Sequence, residues 1–251
     1  MDNMVKRKKN IAIIPARGGS KRIPKKNIID FFGKPMIART IDAAKKSNIF
    51  DEIMVSTDNK EIADISQEYG AHVPFLRKNY NDDYATVSDA IIYSLKELKD
   101  KLSKEYETVT LLMANCPLRN NFDIIKAHTN FTKLEATFQI SCFKFGWMNP
   151  WWASKLNNKS EPVSVFPQAF KQRSQDLEEL YCPTGAIWIA KTKDLLQQKS
   201  FYGKPLKFFP LDWKSAIDID NYEDLEMAKA LFLLQNNSFY NFNNMKNISI
   251  F

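Results

Sequence analysis

The sequence predicts an open α/β sheet whose strands run mainly parallel. Short apolar runs of strand length alternate with amphipathic stretches of helix length, and the first run opens directly into a loop rich in glycine and cations. Composition agrees: 44% hydrophobic and 26% charged residues in a chain of 251 describe an ordinary globular protein and exclude collagen, coiled coil or whole-chain disorder. At that length one large domain can bury its own core.

The first strand is Ile11-Ala12-Ile13-Ile14-Pro15, apolar on both faces as a buried parallel strand must be. A loop runs from Ala16 to about Gly33. The next segment has Pro35 in its first turn and places Met36, Ile37, Ile41 and Ala44 on one helical face. Glu52 to Thr57 reads as a strand, and Asp58 with Glu61 as a capping box for a helix ending near Gly70. The alternation continues with a strand from His72 to Leu76, a helix from about Thr86 to Leu102 and a strand from Thr108 to Met113. A helix from Asn121 to Phe131 and a strand from Ala136 to Phe143 follow.

Between about 144 and 162 the rhythm breaks. Trp147, Asn149, Pro150, Trp151 and Trp152 lie there, and the segment reads as an arm leaving the domain. Regularity returns with a strand at Ala186 to Ala190, a short helix near Lys193 to Gln198, a strand around Phe208 and an amphipathic helix from Asn221 to Leu234. The domain thus spans 10–235, between a basic tail at 1–9 and an Asn-rich C-terminal tail at 236–251.

Of the formal net charge of +7, Lys6, Arg7, Lys8 and Lys9 against Asp2 place a large share in the first nine residues, so the body is only modestly basic. No apolar run approaches the roughly 18 residues of a membrane span, and Ile11 to Ile14 is too short for the core of a signal peptide; the expected location is the cytoplasm, with no membrane partner. Cys116, Cys142 and Cys182 are odd in number and lack any C-x-x-C pair, which fits buried thiols better than a disulfide framework or a zinc site.

Chemistry concentrates in two places. The loop Pro15-Ala16-Arg17-Gly18-Gly19-Ser20-Lys21-Arg22-Ile23-Pro24-Lys25-Lys26-Asn27 follows the first strand, where parallel sheets bind ligands. Its glycines let backbone N–H groups approach oxygens, and Arg17 and Lys21 supply a planar fork and a point charge, so a polyphosphate cradle is the favoured reading over a solvated basic loop. The spacing matches neither G-x-x-x-x-G-K-[ST] nor G-x-G-x-x-G.

The second place is Ser215-Ala216-Ile217-Asp218-Ile219-Asp220. Alternation on an extended segment points Asp218 and Asp220 to one side, roughly 7 Å apart along the backbone, within reach of one Mg²⁺. Asp220 with Glu223 also reads as a capping box for the last helix, and the two roles are compatible. Arg77, Arg119 and Arg173 are lesser candidates for anion contacts, and His72 and His128 carry no catalytic assignment.

The run IIPARGGSKRIPKKN from Ile13 to Asn27 closely resembles the opening signature of the CMP-sialic acid synthetases, or acylneuraminate cytidylyltransferases, including those for pseudaminic and legionaminic acids. Further matching segments are FGKPMIA at Phe32, VSTD at Val55, VPFLR at Val73, CPLR at Cys116, RSQDL at Arg173, TGAIW at Thr184 and IDID at Ile217. The resemblance implies a Rossmann-like nucleotidyltransferase with a mainly parallel sheet and a small dimerisation arm, acting as a homodimer. Such an enzyme joins CTP to an acidic nine-carbon α-keto sugar and releases pyrophosphate.

It implies that Ala16 to Lys21 hold the nucleotide, with Arg17 and Lys21 on the triphosphate, Asn27 beside the nucleotide and Arg77 fixing the cytidine. Arg173, Gln175 and Thr184 would face the sugar, and Asp218 and Asp220 would hold Mg²⁺, with Arg17, Lys21 and Asp218 carrying catalysis. The chain departs from the family's usual LLQPTSPLR at Leu111 to Arg119, where Met113 stands for a glutamine. Thr184 and Trp188 replace a common Asn and Tyr. A related acceptor such as Kdo is an alternative that RSQDL and IDID disfavour, and the basic charge leaves a nucleic-acid binder as a second class, disfavoured because no nucleic-acid module is visible.

Overall fold

The computed structural model describes residues 8–80, 85–146 and 148–236. Most of the basic tail, Trp147 and nearly all of the Asn-rich tail lie outside them. The elements are β1 (Lys8–Pro15), α1 (Met36–Ser47), β2 (Glu52–Ser56), α2 (Lys60–Glu68), α3 (Val87–Leu102), β3 (Tyr106–Leu111), α4 (Asn121–Lys133) and β4 (Phe138–Lys144). There follow β5 (Ser154–Leu156), β6 (Pro162–Ser164), β7 (Tyr181–Lys191), α5 (Thr192–Gln198), β8 (Leu206–Pro210) and α6 (Tyr222–Asn236).

Six strands form one sheet in the order β2-β1-β3-β7-β4-β8. All pairs are parallel except those of β7, which runs against both β3 and β4. Period-two alternation in β1 covers both faces: Ala12 and Ile14 join the apolar cluster with Ile37, Ile41 and Ile124 of α1 and α4, while Ile11 and Ile13 join Ile91, Leu95 and Leu98 of α3. The helical face expected for α1 is observed, with Met36, Ile37, Ile41 and Ala44 all buried.

The chain leaves β1 for β2 on one side and only later returns to place β3 on the other, so the ends of β1 and β3 frame a topological switch point. The strand expected at His72–Leu76 shrinks to a single bridge between His72 and Met54. His72 exchanges backbone bonds with Ile53 and Val55, but the next rung needs an N–H from residue 74, which is proline. Gly70 ends α2 at φ +88°, a value that suits glycine.

Both helices are capped one residue later than expected, α2 by a single cap without a box and α6 by a full box. Asn59, not Asp58, caps α2 by accepting from Ile62 N at 3.0 Å. At α6, Asn221 and Asp224 form the reciprocal pair, with bonds of 2.9 Å in each direction, so Glu223 is no part of a box. Asp-Asn stands at both positions. The asparagine caps the helix and leaves the aspartate to partners in the loop after β1, Gly18 N for Asp58 and Lys26 with Arg22 for Asp220.

Between β4 and β7 the chain departs from the sheet and returns only at Tyr181, so the excursion includes the Arg173 segment as well as the β5–β6 hairpin. Trp151 packs edge-on against Phe166 at 5.1 Å and donates to Glu178 O at 2.9 Å, which ties the arm to itself. Trp152, Leu156, Val163, Phe166 and Phe170 remain exposed. No helix of the described residues is long and apolar enough to cross a membrane.

Candidate active site

A cavity of about 480 Å³ opens at the carboxyl edge, at the switch point. Its walls come from the loop after β1 (Arg17, Ser20, Lys21, Arg22, Lys26, Asn27), from the segment leading into α3 (Arg77, Tyr80, Thr86), from Met113 and Asn115 after β3, and from Asp220. Residues far apart in sequence therefore meet where the sheet geometry favours a ligand.

The loop is held from both sides. Ala16 is buried and its N–H donates to Ser56 O at 3.0 Å. The Gly18 N–H donates to Asp58 Oδ1 at 2.8 Å, which is where the aspartate released from helix capping goes. Gly18 also lies close against Asn59, whose Cβ would stand 3.0 Å from a side chain added there. Asn27 is buried and its Nδ2 donates to Arg17 O at 3.0 Å, closing the loop on itself. Gly19 is exposed with open space around it.

Arg77 is 4% exposed and its Nη1 donates to Ser56 O and Ser56 Oγ at 2.9 and 3.0 Å. Ser56 in turn shares a 2.7 Å bond with Ser94 of α3. Burial pulls the Arg77 guanidinium below its ordinary pKa, Asp58 counters this, and Arg17 adds to it. A rigid cation of this kind has little freedom to lose on meeting a ligand.

Asp220 lies at the rim with Lys26 Nζ at 2.9 Å and Arg22 Nη2 at 2.9 Å. Partial burial would raise its carboxyl, but Lys26 and Arg22 outweigh it and hold the group below the ordinary range. Asp218, two residues away, is exposed, yet crowding by protein atoms and the charge of Asp220 push its carboxyl up. Two neighbouring carboxylates that disfavour each other's ionisation gain from a shared divalent cation.

Among the described residues no group of three or more His, Cys, Asp or Glu side chains could hold a metal. The two aspartates would supply two hard oxygens and leave the remaining positions to ligand oxygens and water, the pattern that suits Mg²⁺. The donor set fits that ion.

Thr184 is buried and its Oγ1 donates to Ala216 O at 2.6 Å, fixing the segment that leads to Asp218. Arg173 and Gln175 are exposed in the arm and do not line the cavity; Arg173 pairs with Asp176 through Nε at 2.7 Å. Among the cavity residues that the sequence left unassigned are Arg22, Lys26, Tyr80 and Asn115. The first two stand in the basic run, but nothing local shows that Asp220 is their partner. Met113 packs against Gly185, where an added Cβ would stand 2.7 Å from Met113 Cγ.

Arg119 is fully buried and its Nη1 donates to Ala186 O at 2.7 Å and Met113 O at 3.3 Å, joining the end of β3 to β7. Burial lowers its pKa, and burial likewise raises the nearby Cys116 thiol to about 12, so that thiol is inert.

Residues 11–245 match the family model described as Cytidylyltransferase. The chain is 38% identical over 232 residues to a pseudaminic acid cytidylyltransferase of Campylobacter jejuni, covering 92% of this chain and 99% of the relative. It is 36% identical over 235 residues to a CMP-N,N'-diacetyllegionaminic acid synthase of Legionella pneumophila, covering 89% and 96%. A solved CMP:2-keto-3-deoxy-manno-octonic acid synthetase complexed with CTP aligns at a TM-score of 0.66 over 90% of this chain and 99% of that one; at 19% identity the likeness is one of fold.

Proposed function

Because the chain belongs to the cytidylyltransferase family, we propose that it transfers CMP from CTP to the anomeric hydroxyl of a nine-carbon α-keto acid sugar, with release of pyrophosphate. The observation that carries this is the convergence of Arg17, Lys21, Arg22, Lys26 and Asp220 on one cavity at the switch point. The acceptor class follows the full-length relatives, and a sugar of the pseudaminic type is the first choice because 38% identity runs across 99% of that relative.

In this reading Arg17 and Lys21 bind the β and γ phosphates, and Asn27 keeps the loop closed around them. Arg77 contributes a buried cation toward the nucleotide. The hydroxyl oxygen of the sugar bonds to the α phosphorus as the bond to the bridging oxygen of pyrophosphate breaks, and the hydroxyl proton passes to solvent water. Charge accumulates on the departing pyrophosphate, where the cationic loop stabilises it. Asp218 and Asp220 would hold Mg²⁺, which when bound makes the hydroxyl more acidic and neutralises the α phosphate.

Arg173 and Gln175 would meet the acid sugar from the arm, and Thr184 would shape its subsite. The exposed apolar residues of the arm support pairing with a second copy of the chain, since such a patch favours burial. The test is pyrophosphate release with CTP and Mg²⁺ against pseudaminate, legionaminate, N-acetylneuraminate and Kdo, each with an EDTA control. Metal-dependent release with a nine-carbon acid is expected; release with Kdo alone would overturn the acceptor, and no release with any of the four would overturn the reaction.

A further inference from the structure

Both oxygens of the Asp220 carboxylate carry a cation, Lys26 Nζ on Oδ1 and Arg22 Nη2 beside Oδ2, each at 2.9 Å. The two cations are held very differently. The Lys26 side chain is 15% exposed and donates a second time, to Ile219 O at 2.7 Å. The Arg22 side chain is 64% exposed, and an ion pair at that exposure yields easily to competing ions.

The carboxylate itself is fixed and open to solvent. Ile219 N donates to Asn115 O at 2.9 Å, Asn115 Nδ2 donates to Ile219 O at 3.0 Å, and Asp220 N donates to Asp224 Oδ2 at 2.9 Å. The Asp220 side chain is nonetheless 41% exposed, so a small cation can reach it. Two cations that share one carboxylate oxygen stand within about 5 Å of each other and repel. Since the carboxylate and Lys26 are anchored, Arg22 is the group that can leave. It lines the same cavity as Arg17 and Lys21, and its planar fork suits phosphate oxygens.

We propose that Arg22 neutralises Asp220 until a divalent cation displaces it, and that the released guanidinium then binds the triphosphate, so that metal and nucleotide enter the cavity together. This rests on the reading given above in which Asp218 and Asp220 hold the metal. The exchange makes each ligand raise the affinity of the other, because each removes the partner that Arg22 would otherwise keep.

The experiment uses the full chain, Arg22→Gln, Arg22→Lys and Asp218→Asn, with thermal unfolding to confirm that each variant folds. Electron paramagnetic resonance measures Mn²⁺ binding without nucleotide, and calorimetry measures CTP affinity with Mg²⁺ and with EDTA. Arg22→Gln should bind Mn²⁺ at least threefold more tightly than the wild type, because the competing cation is gone. It should bind CTP about tenfold more weakly with Mg²⁺, the size of one charge-assisted contact, and less than threefold more weakly in EDTA. Arg22→Lys keeps the charge and should stay close to the wild type in Mn²⁺ affinity.

Mn²⁺ binding in Arg22→Gln that is no tighter than in the wild type would overturn the proposal. An equal loss of CTP affinity with and without metal would also overturn it, since Arg22 would then be a fixed phosphate contact. Mn²⁺ binding that Asp218→Asn leaves untouched would instead sink the metal reading, and the exchange with it.

Discussion

The Lys26 ammonium donates to Asp220 Oδ1 at 2.9 Å, joining residues that stand 194 positions apart. The same ammonium holds the carbonyl of Ile219, so one cation fixes both the orientation and the charge of the carboxylate segment. The loop after β1 and the start of α6 are therefore one unit, and the predictions below test how that unit works.

If the proposed roles hold, Arg17→Ala and Asp218→Asn should each reduce turnover by roughly 100-fold or more while the fold survives, since the first would remove charge beneath the proposed leaving group and the second a proposed metal ligand. Steady-state pyrophosphate release with far-ultraviolet dichroism beside it checks this. Near-normal turnover in either folded variant would remove that residue from the mechanism.

Lys26→Met should leave Asp220 with Arg22 as its cation and withdraw one donor from Ile219 O. The expected result is a rise of several-fold in the Mg²⁺ concentration needed for half-maximal rate, because the carboxylates lose their orientation. A metal titration with an unchanged midpoint would show that Asn115 alone suffices to hold the segment.

Gly185→Ala should destabilise the fold by about 1–3 kcal/mol, because its Cβ would press on Met113 Cγ at 2.7 Å. Met113→Ala should relieve much of that cost when combined with it, which a double-mutant cycle by urea unfolding measures. Simple additivity would mean that the backbone of β7, and not the thioether, sets the limit.

Acid stability should fall in two stages. Burial lowers the His128 pKa from 6.5 to about 4, so the unfolded chain takes up the proton first and stability declines as pH drops through that interval. Burial of Glu52 would raise its carboxyl, but Lys104, Tyr106 and His72 hold it down at about 2 from 4.5; its contribution is present above pH 4.5 and is lost as pH falls toward 2. Glu52→Gln should cost about 3 kcal/mol at pH 7 and flatten the lower stage only. Urea midpoints at pH 7, 5.5, 4 and 3 provide the comparison.

Much of the fold was legible because it is written in local periodicity. Ile11 to Ile14 announce a buried strand, and Met36, Ile37, Ile41 and Ala44 announce one helical face. Pro74 ends the bridge at His72 by a missing donor, a rule that a strand pattern alone overlooks. The helix caps lie one residue beyond the expected positions because Asp and Asn are nearly equivalent caps, and only the tertiary partner of each aspartate decides between them.

The site was legible in part. Glycines and cations after a first strand are a local signal, and two alternating aspartates are another. That Arg22 and Lys26 belong to Asp220, and that Asn115 holds Ile219, are facts of distance across the sheet, with no trace in the neighbouring sequence. Arg173 and Gln175 stand apart from the cavity in this structure, and their meeting with a sugar would require the arm to come to it.

The reversal of β7 has a consequence for where that arm hangs. A parallel return from β4 would have carried the chain over a face of the sheet to the opposite edge before starting the next strand. Running backwards, β7 starts where β4 stops, with Tyr181 beside Lys144. The excursion thus leaves and rejoins the sheet at the edge on which the cavity opens, so a single inverted strand fixes the end of the molecule from which the arm extends.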